Sequence, residues 1–288
     1  MLDEPDRAPL AHSDSDLRAQ ARALAALADP AHKAAATMRL AARYADSSHG
    51  CLDPAQHWPE PPVYPGRPDV PVLVSPRVLE RRSMHTPHGR AVLLHALAHI
   101  EFNAINLALD AVWRFTDLPP EYYFDWLKVA GEEALHFTLL SDHLATLGYR
   151  YGDVSAHDGL WEMAQKTAGD VLARMALVPR TLEARGLDAS PPLRDKLAQA
   201  GDHAAAAILE VILRDEIGHV RIGNHWFRFL CAQRGLDPHA AYRQLAAHYA
   251  APRLRGPYNF TARRAAGFDE LELAALDAGE PPAGSAPD

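Results

Sequence analysis

Apolar residues recur along most of this chain at spacings of three and four, the period of an α-helix with one buried face. Ser15 through Ala28 and Ala31 through Ala45 are alanine-rich helical patterns separated by Asp29-Pro30, which predicts a two-helix arm after a loose tail at 1–13. Residues 49–78, with prolines at 54, 59, 61, 62, 65, 68 and 71, read as an irregular wrapping segment. Within it Val72-Leu73-Val74 is strand-like, but nearby sequence offers it no partner. A helix is predicted from Gly89 to about Phe115, and a second from Glu121 to Leu147 with Gly148 as its stop. Residues 149–158 lack helical pattern. A third helix is expected from Leu160 to Arg185, ending at Gly186 and bulged near Pro179, whose missing N–H interrupts the ladder. Ser190-Pro191-Pro192 opens a further segment that joins the longest pattern, 205–230, with a bend at Gly201. After Gly235 comes one helix, His239 to Tyr249, then a loop at 255–259 and a Gly/Pro/Ala-rich end read as disordered.

The expected fold is therefore all-α: a four-helix bundle over 89–235, an N-terminal helical and Pro-rich arm over 1–88, and a C-terminal extension over 236–288.

Polar residues interrupt the apolar stripes at a few places. Glu216 and His219 lie three apart in mid-stripe of the fourth helix, and Glu133 and His136 repeat that pattern in the second. One Glu-x-x-His carries little information in a chain with 16 histidines. Two gain weight because each is preceded by a carboxylate on an apolar helix face, Glu101 and Glu183, at intervals of about one helical hairpin. Glu101 and Glu133 straddle the turn at Pro119 and meet at one depth. Glu183 fits less simply, because it falls near the end of its predicted helix. Four buried carboxylates with no cation would be heavily penalised or protonated. Four Glu and two His on four helices are what a bundle uses to hold two metal ions, and oxygen and nitrogen donors without thiolate suit iron or manganese. The acids Glu132 and Asp215 precede the two motif glutamates and are placed to orient His219 and His136, respectively. His95 and His99 share a face roughly opposite Glu101, and His85 and His88 flank Pro87 in what reads as an ordinary loop. Ala98, Ala104, Ala108, Ala130 and Gly223 leave room for a small molecule or permit close helix packing; the pattern allows both.

Bulk composition narrows the classes. With 288 residues and 48% hydrophobic content the chain can bury a large core. A net charge of −8 without a basic stripe argues against nucleic acid, though Arg253, Arg255, Arg263 and Arg264 form a local cluster. No apolar run approaches the roughly 18 residues of a membrane span. Cys51 and Cys231 cannot make a disulfide framework, and a cytoplasmic location is expected.

Glu101, Glu133-Ala-Leu-His136, Glu183 and Glu216-Ile-Gly-His219 resemble the di-iron carboxylate signature of the ferritin-like superfamily, and Ile-Leu-Arg-Asp-Glu-Ile-Gly-His is close to the fourth helix of bacterioferritin-type proteins. The run from His95-Ala-Leu-Ala-His-Ile-Glu through Arg255-Gly-Pro-Tyr-Asn is similar to a bacterial ferritin-like family of unknown function, over roughly residues 70–270. The resemblance implies two iron ions, with manganese or a mixed pair as alternatives, and chemistry with dioxygen or peroxide on an unidentified small molecule. Glu133 and Glu216 would bridge the ions, Glu101 and Glu183 would be terminal ligands, and each imidazole would bind one ion. A homodimer is an open assembly. The rival readings are iron storage, which the long flanking segments disfavour, a tRNA-hydroxylase-like activity, and a helical interaction module with a vestigial site.

Overall fold

A computed structural model describes residues 16–45, 51–79, 83, 84 and 86–279; all of its regular elements there are helices. The tail at 1–13, His85 and the last nine residues lie outside the described part.

The arm is α1 (Leu17–Ala25) and α2 (Pro30–Arg43). Asp16 and Asp29 cap them by accepting backbone N–H bonds, and Pro30 occupies a first-turn position where no donor is needed. α1 packs on α3 (Pro87–Arg114) and α2 on α4 (Pro120–Thr146). Arg18 of α1 is fully buried and donates to the carbonyls of Asp53, Pro54, Gln56, Val112 and Trp113, so one side chain ties arm, Pro-rich segment and bundle together. Lys33 of α2, equally buried, donates to Ala25, Gly66 and Asn106.

α3 is long and apolar enough to cross a membrane by length and composition, unlike the sequence reading, but 83% of its apolar window is buried inside the molecule. Its hydropathy reflects a helix surrounded by protein: arm on one side, α4 on another. α3 and α4 form an antiparallel hairpin, and Gly148 after α4 takes a left-handed φ of 80°.

The third bundle helix departs most from expectation. It is broken after α5 (Gly159–Lys166), restarts as α6 (Val171–Leu177) under the cap of Asp170, passes through a π turn at 178–183, and continues as α7 (Ala184–Gln199). Buried Arg174 stabilises the break by bonding Thr167 and the Ala164 carbonyl. The expected bulge at Pro179 is this π turn. Gly186 does not end the helix, because its φ is not left-handed; the stop comes at Gly201, φ 83°, after α7 has run through Pro191 and Pro192. α8 (His203–Gln233) then lies along α4 and α7. Gly223 of α8 lets the π turn approach: a Cβ there would stand 2.6 Å from the Pro179 side chain. At this position smallness serves close packing rather than open space.

α9 (Pro238–His248) closes the expected set, but two further helices follow, α10 (Phe260–Ala265) and α11 (Glu270–Asp277), beyond the expected loop at 255–259 in a stretch to which the sequence reading assigned no element. Val72-Leu73-Val74 does have a partner. Leu73 makes an isolated parallel bridge to Ala156, with Ala156 N–H donating to Val72 and Val74 N–H to Ala156. The partner comes from the distant 149–158 connection, which local sequence could not reveal.

Candidate metal centre

Glu101 comes from the middle of α3, Glu133 and His136 from α4, Glu183 from the last position of the π turn, and Glu216 and His219 from α8. Ligand-capable atoms of Glu101, Glu133, His136 and Glu216 all lie within 4.8 Å of one another, and all four residues are buried. His219 joins them: its Nδ1 is 3.0 Å from Glu133 Oε1 and 3.7 Å from Glu216 Oε1. His136 Nδ1 is 3.3 Å from Glu101 Oε2 and 3.4 Å from Glu133 Oε2. The two imidazole rings are 5.8 Å apart. Glu183 is half-buried as a residue, yet its Oε2 is shielded from solvent and near enough to the Glu216 and Glu133 carboxylates to feel both. Gly186, one turn on, would place a Cβ 4.0 Å from Glu216 Oε2, so a glycine borders that carboxylate.

The far nitrogens of both imidazoles point outward. Nε2 of His136 donates to Asp215 at 3.1 Å and Nε2 of His219 donates to Glu132 at 2.9 Å. Asp215 is itself held by Arg214. With Nε2 of each ring committed to an acid, Nδ1 faces the carboxylate cluster, where it carries a proton in the metal-free protein and would offer a lone pair to a cation once that proton leaves.

Seven atoms at the centre are buried without a well-formed hydrogen bond, namely Glu101 Oε2, both oxygens of Glu133, His136 Nδ1, Glu183 Oε2, Glu216 Oε2 and His219 Nδ1, and the two Nδ1 atoms meet the carboxylates only as the close ion pairs given above. Such concentrated orphaned polarity is costly unless something positive binds it. The titration directions say the same. Burial, then the Glu133 carboxylate, pushes Glu101 well above the usual range; burial and the Glu216 and Glu133 carboxylates do the same to Glu183, and burial with the Glu133 carboxylate raises Glu216. Burial also works against charge on Glu133 and on both imidazoles, but their mutual attraction wins, holding Glu133 low and His136 and His219 well above 6.5. Protons fill the role of cations here.

The other histidines are elsewhere. His95 accepts from the Gly152 N–H, and His99 bonds Tyr151 and Asn103, both facing the 149–158 connection. His88 contacts Tyr149. His239, Asp269 and Glu272 form a second cluster, but Arg180 and Arg228 already neutralise its acids. Cys51 is exposed and Cys231 buried, and both are free thiols. A cavity of about 190 Å³ beside Asp110, Arg114 and Arg174 is walled by ion pairs that satisfy one another.

The chain belongs to a family described as "Protein of unknown function (DUF455)", whose pattern matches residues 26–274. An uncharacterized protein of Haemophilus influenzae is 54% identical over 213 residues, covering 72% of this chain and 74% of that one. No solved structure matches.

Proposed function

We propose that this chain is a ferritin-like di-metal protein, in which Glu101, Glu133, His136, Glu183, Glu216 and His219 hold two ions of the iron or manganese class. The observation that carries this reading is the meeting of buried carboxylate and imidazole atoms from α3, α4 and α8 within 4.8 Å, with the shielded Glu183 carboxylate of the π turn near enough to feel them. Four carboxylates and two neutral imidazoles balance two divalent charges, and the oxygen-rich, thiolate-free donor set favours iron or manganese. Bound ions would supply redox chemistry toward dioxygen or peroxide, used to oxidise or hydroxylate a small molecule.

The chain's own residues supply the rest. Asp215 and Glu132 keep His136 and His219 in the tautomer that turns Nδ1 inward. Phe102 and Phe137 pack on each other and on Tyr151, away from the cluster, and fasten α3 and α4 to the 149–158 connection. Glu183 and Glu216 lie toward the less enclosed α7–α8 side, where Gly186 leaves space beside the Glu216 carboxylate.

The test is metal content and absorption after anaerobic loading with ferrous iron and exposure to air. Two irons per chain with an absorption band that grows on oxidation support the reading. Many irons per chain would replace it with storage, and no uptake would end it.

A further inference from the structure

The C-terminal extension grips the third bundle helix on both sides of Glu183. On one side, Arg180 in the π turn is buried, bonds Asn224 through Nε at 2.8 Å, and is enclosed by the rings of Phe227, Tyr242 and Phe268. Its charge is met by Glu272 of α11, which Arg228 and the capping box with Asp269 hold in place. On the other side, Arg263 of α10 is fully buried, pairs with Asp188 at 2.6 Å, and reaches the Ala184 carbonyl at 3.4 Å.

Asn259 completes this second grip. Its backbone N–H donates to Asp188 and its side-chain amide to the Leu187 carbonyl at 3.2 Å. Leu187 lies four residues before Pro191, which has no N–H to offer it. Asn259 therefore supplies the donor that proline removes, and α7 continues as a helix past two prolines. Positions 180, 184, 187 and 188 are all held from outside the bundle.

A π turn is a local departure from regular helix, and its side chains point where their supports place them. From this arrangement we infer that Asn259, Arg263 and Glu272 are positioning residues that hold Glu183 against the carboxylate–imidazole cluster. The inference rests on the di-metal reading for its purpose, but the clamp itself is a statement about residues 178–188.

The experiment uses the full chain and two variants that release opposite sides, Glu272→Gln and Asn259→Ala, with Glu272→Asp and Asn259→Ser as milder substitutes should either fail to fold. Amide hydrogen exchange of the metal-free proteins is read first. Residues 178–188 are expected to exchange at least tenfold faster in each variant, with α3 and α4 unchanged; unaltered exchange there overturns the clamp whatever the metal result. Cobalt(II) titration, followed by its visible absorption, is read second. Wild type is expected to bind two ions, and each variant to hold one as tightly as wild type and the other at least tenfold more weakly. Equal weakening of both ions, or of neither, overturns the positioning role. Absence of cobalt binding by wild type would instead overturn the di-metal reading, leaving the exchange result standing.

Discussion

Asp215 on α8 meets His136 on α4 across the helix interface, Oδ2 to Nε2 at 3.1 Å, on the side of the ring away from the carboxylate cluster. The reciprocal pair, Glu132 on α4 with His219 on α8, repeats the contact at 2.9 Å. Each helix thus orients the imidazole of the other. Removing one acid frees the ring to rotate and to change tautomer. Asp215→Ala is expected to lower metal affinity by about 10–100-fold, the range typical for partners of ligating histidines. Competition against a chelator of known affinity measures it; an unchanged constant removes Asp215 from this role.

Metal-free protein should lose stability as pH rises, and metal should reverse the trend. The carboxyls of Glu101, Glu183 and Glu216 and the imidazoles of His136 and His219 all titrate above their ordinary values of 4.5 and 6.5. A raised value means stability fully present below the ordinary one and lost as pH climbs through the folded one. Glu133 runs the other way, but its contribution changes only in acid. Between pH 6 and 9 the melting temperature of the metal-free protein is therefore expected to fall. Cations take the place of the protons, so the gap between loaded and metal-free protein widens with pH. Parallel melts with and without metal decide this, and a constant gap contradicts it.

His95 and His99 predict a separate acid response. Burial lowers them to about 4 and about 3, respectively. For depressed imidazoles the stability is present above pH 6.5 and drains away as pH falls toward those values. Each contributes a slope of up to about 1.4 kcal/mol per pH unit. Denaturant unfolding between pH 6.5 and 4.5 is expected to show a shallower slope in His99→Gln than in wild type. Superimposable slopes would mean that His99 is not held neutral by the fold.

Gly223→Ala tests the approach of α8 to the π turn. The added Cβ would stand 2.6 Å and 2.7 Å from side-chain atoms of Pro179, so backbone must shift. Overpacking of this kind costs about 1–3 kcal/mol. Chemical denaturation measures the loss, and because Pro179 precedes Glu183 by four residues, metal affinity is expected to fall with it. A variant as stable as wild type would show that the contact relaxes freely.

Local periodicity determined much of this protein on its own. Long helices at α3, α4 and α8, the arm of α1 and α2, and the bulge at Pro179 all follow from apolar spacing, caps and a missing donor, which are properties of neighbouring residues. The same spacing put Glu133 with His136, and Glu216 with His219, on single helix faces. Tertiary structure decided the rest, because it depends on residues far apart in the chain. Gly186 looked like a helix end and Ser190-Pro191-Pro192 like the start of a new segment, yet α7 runs through both with Asn259 supplying a hydrogen bond from 68 residues beyond Pro191. Leu73 found Ala156 only when the loop at 149–158 folded back. Whether Glu183 could stand beside Glu216 was likewise beyond local pattern, since a carboxylate on a π turn goes where the elements packed around that turn direct it.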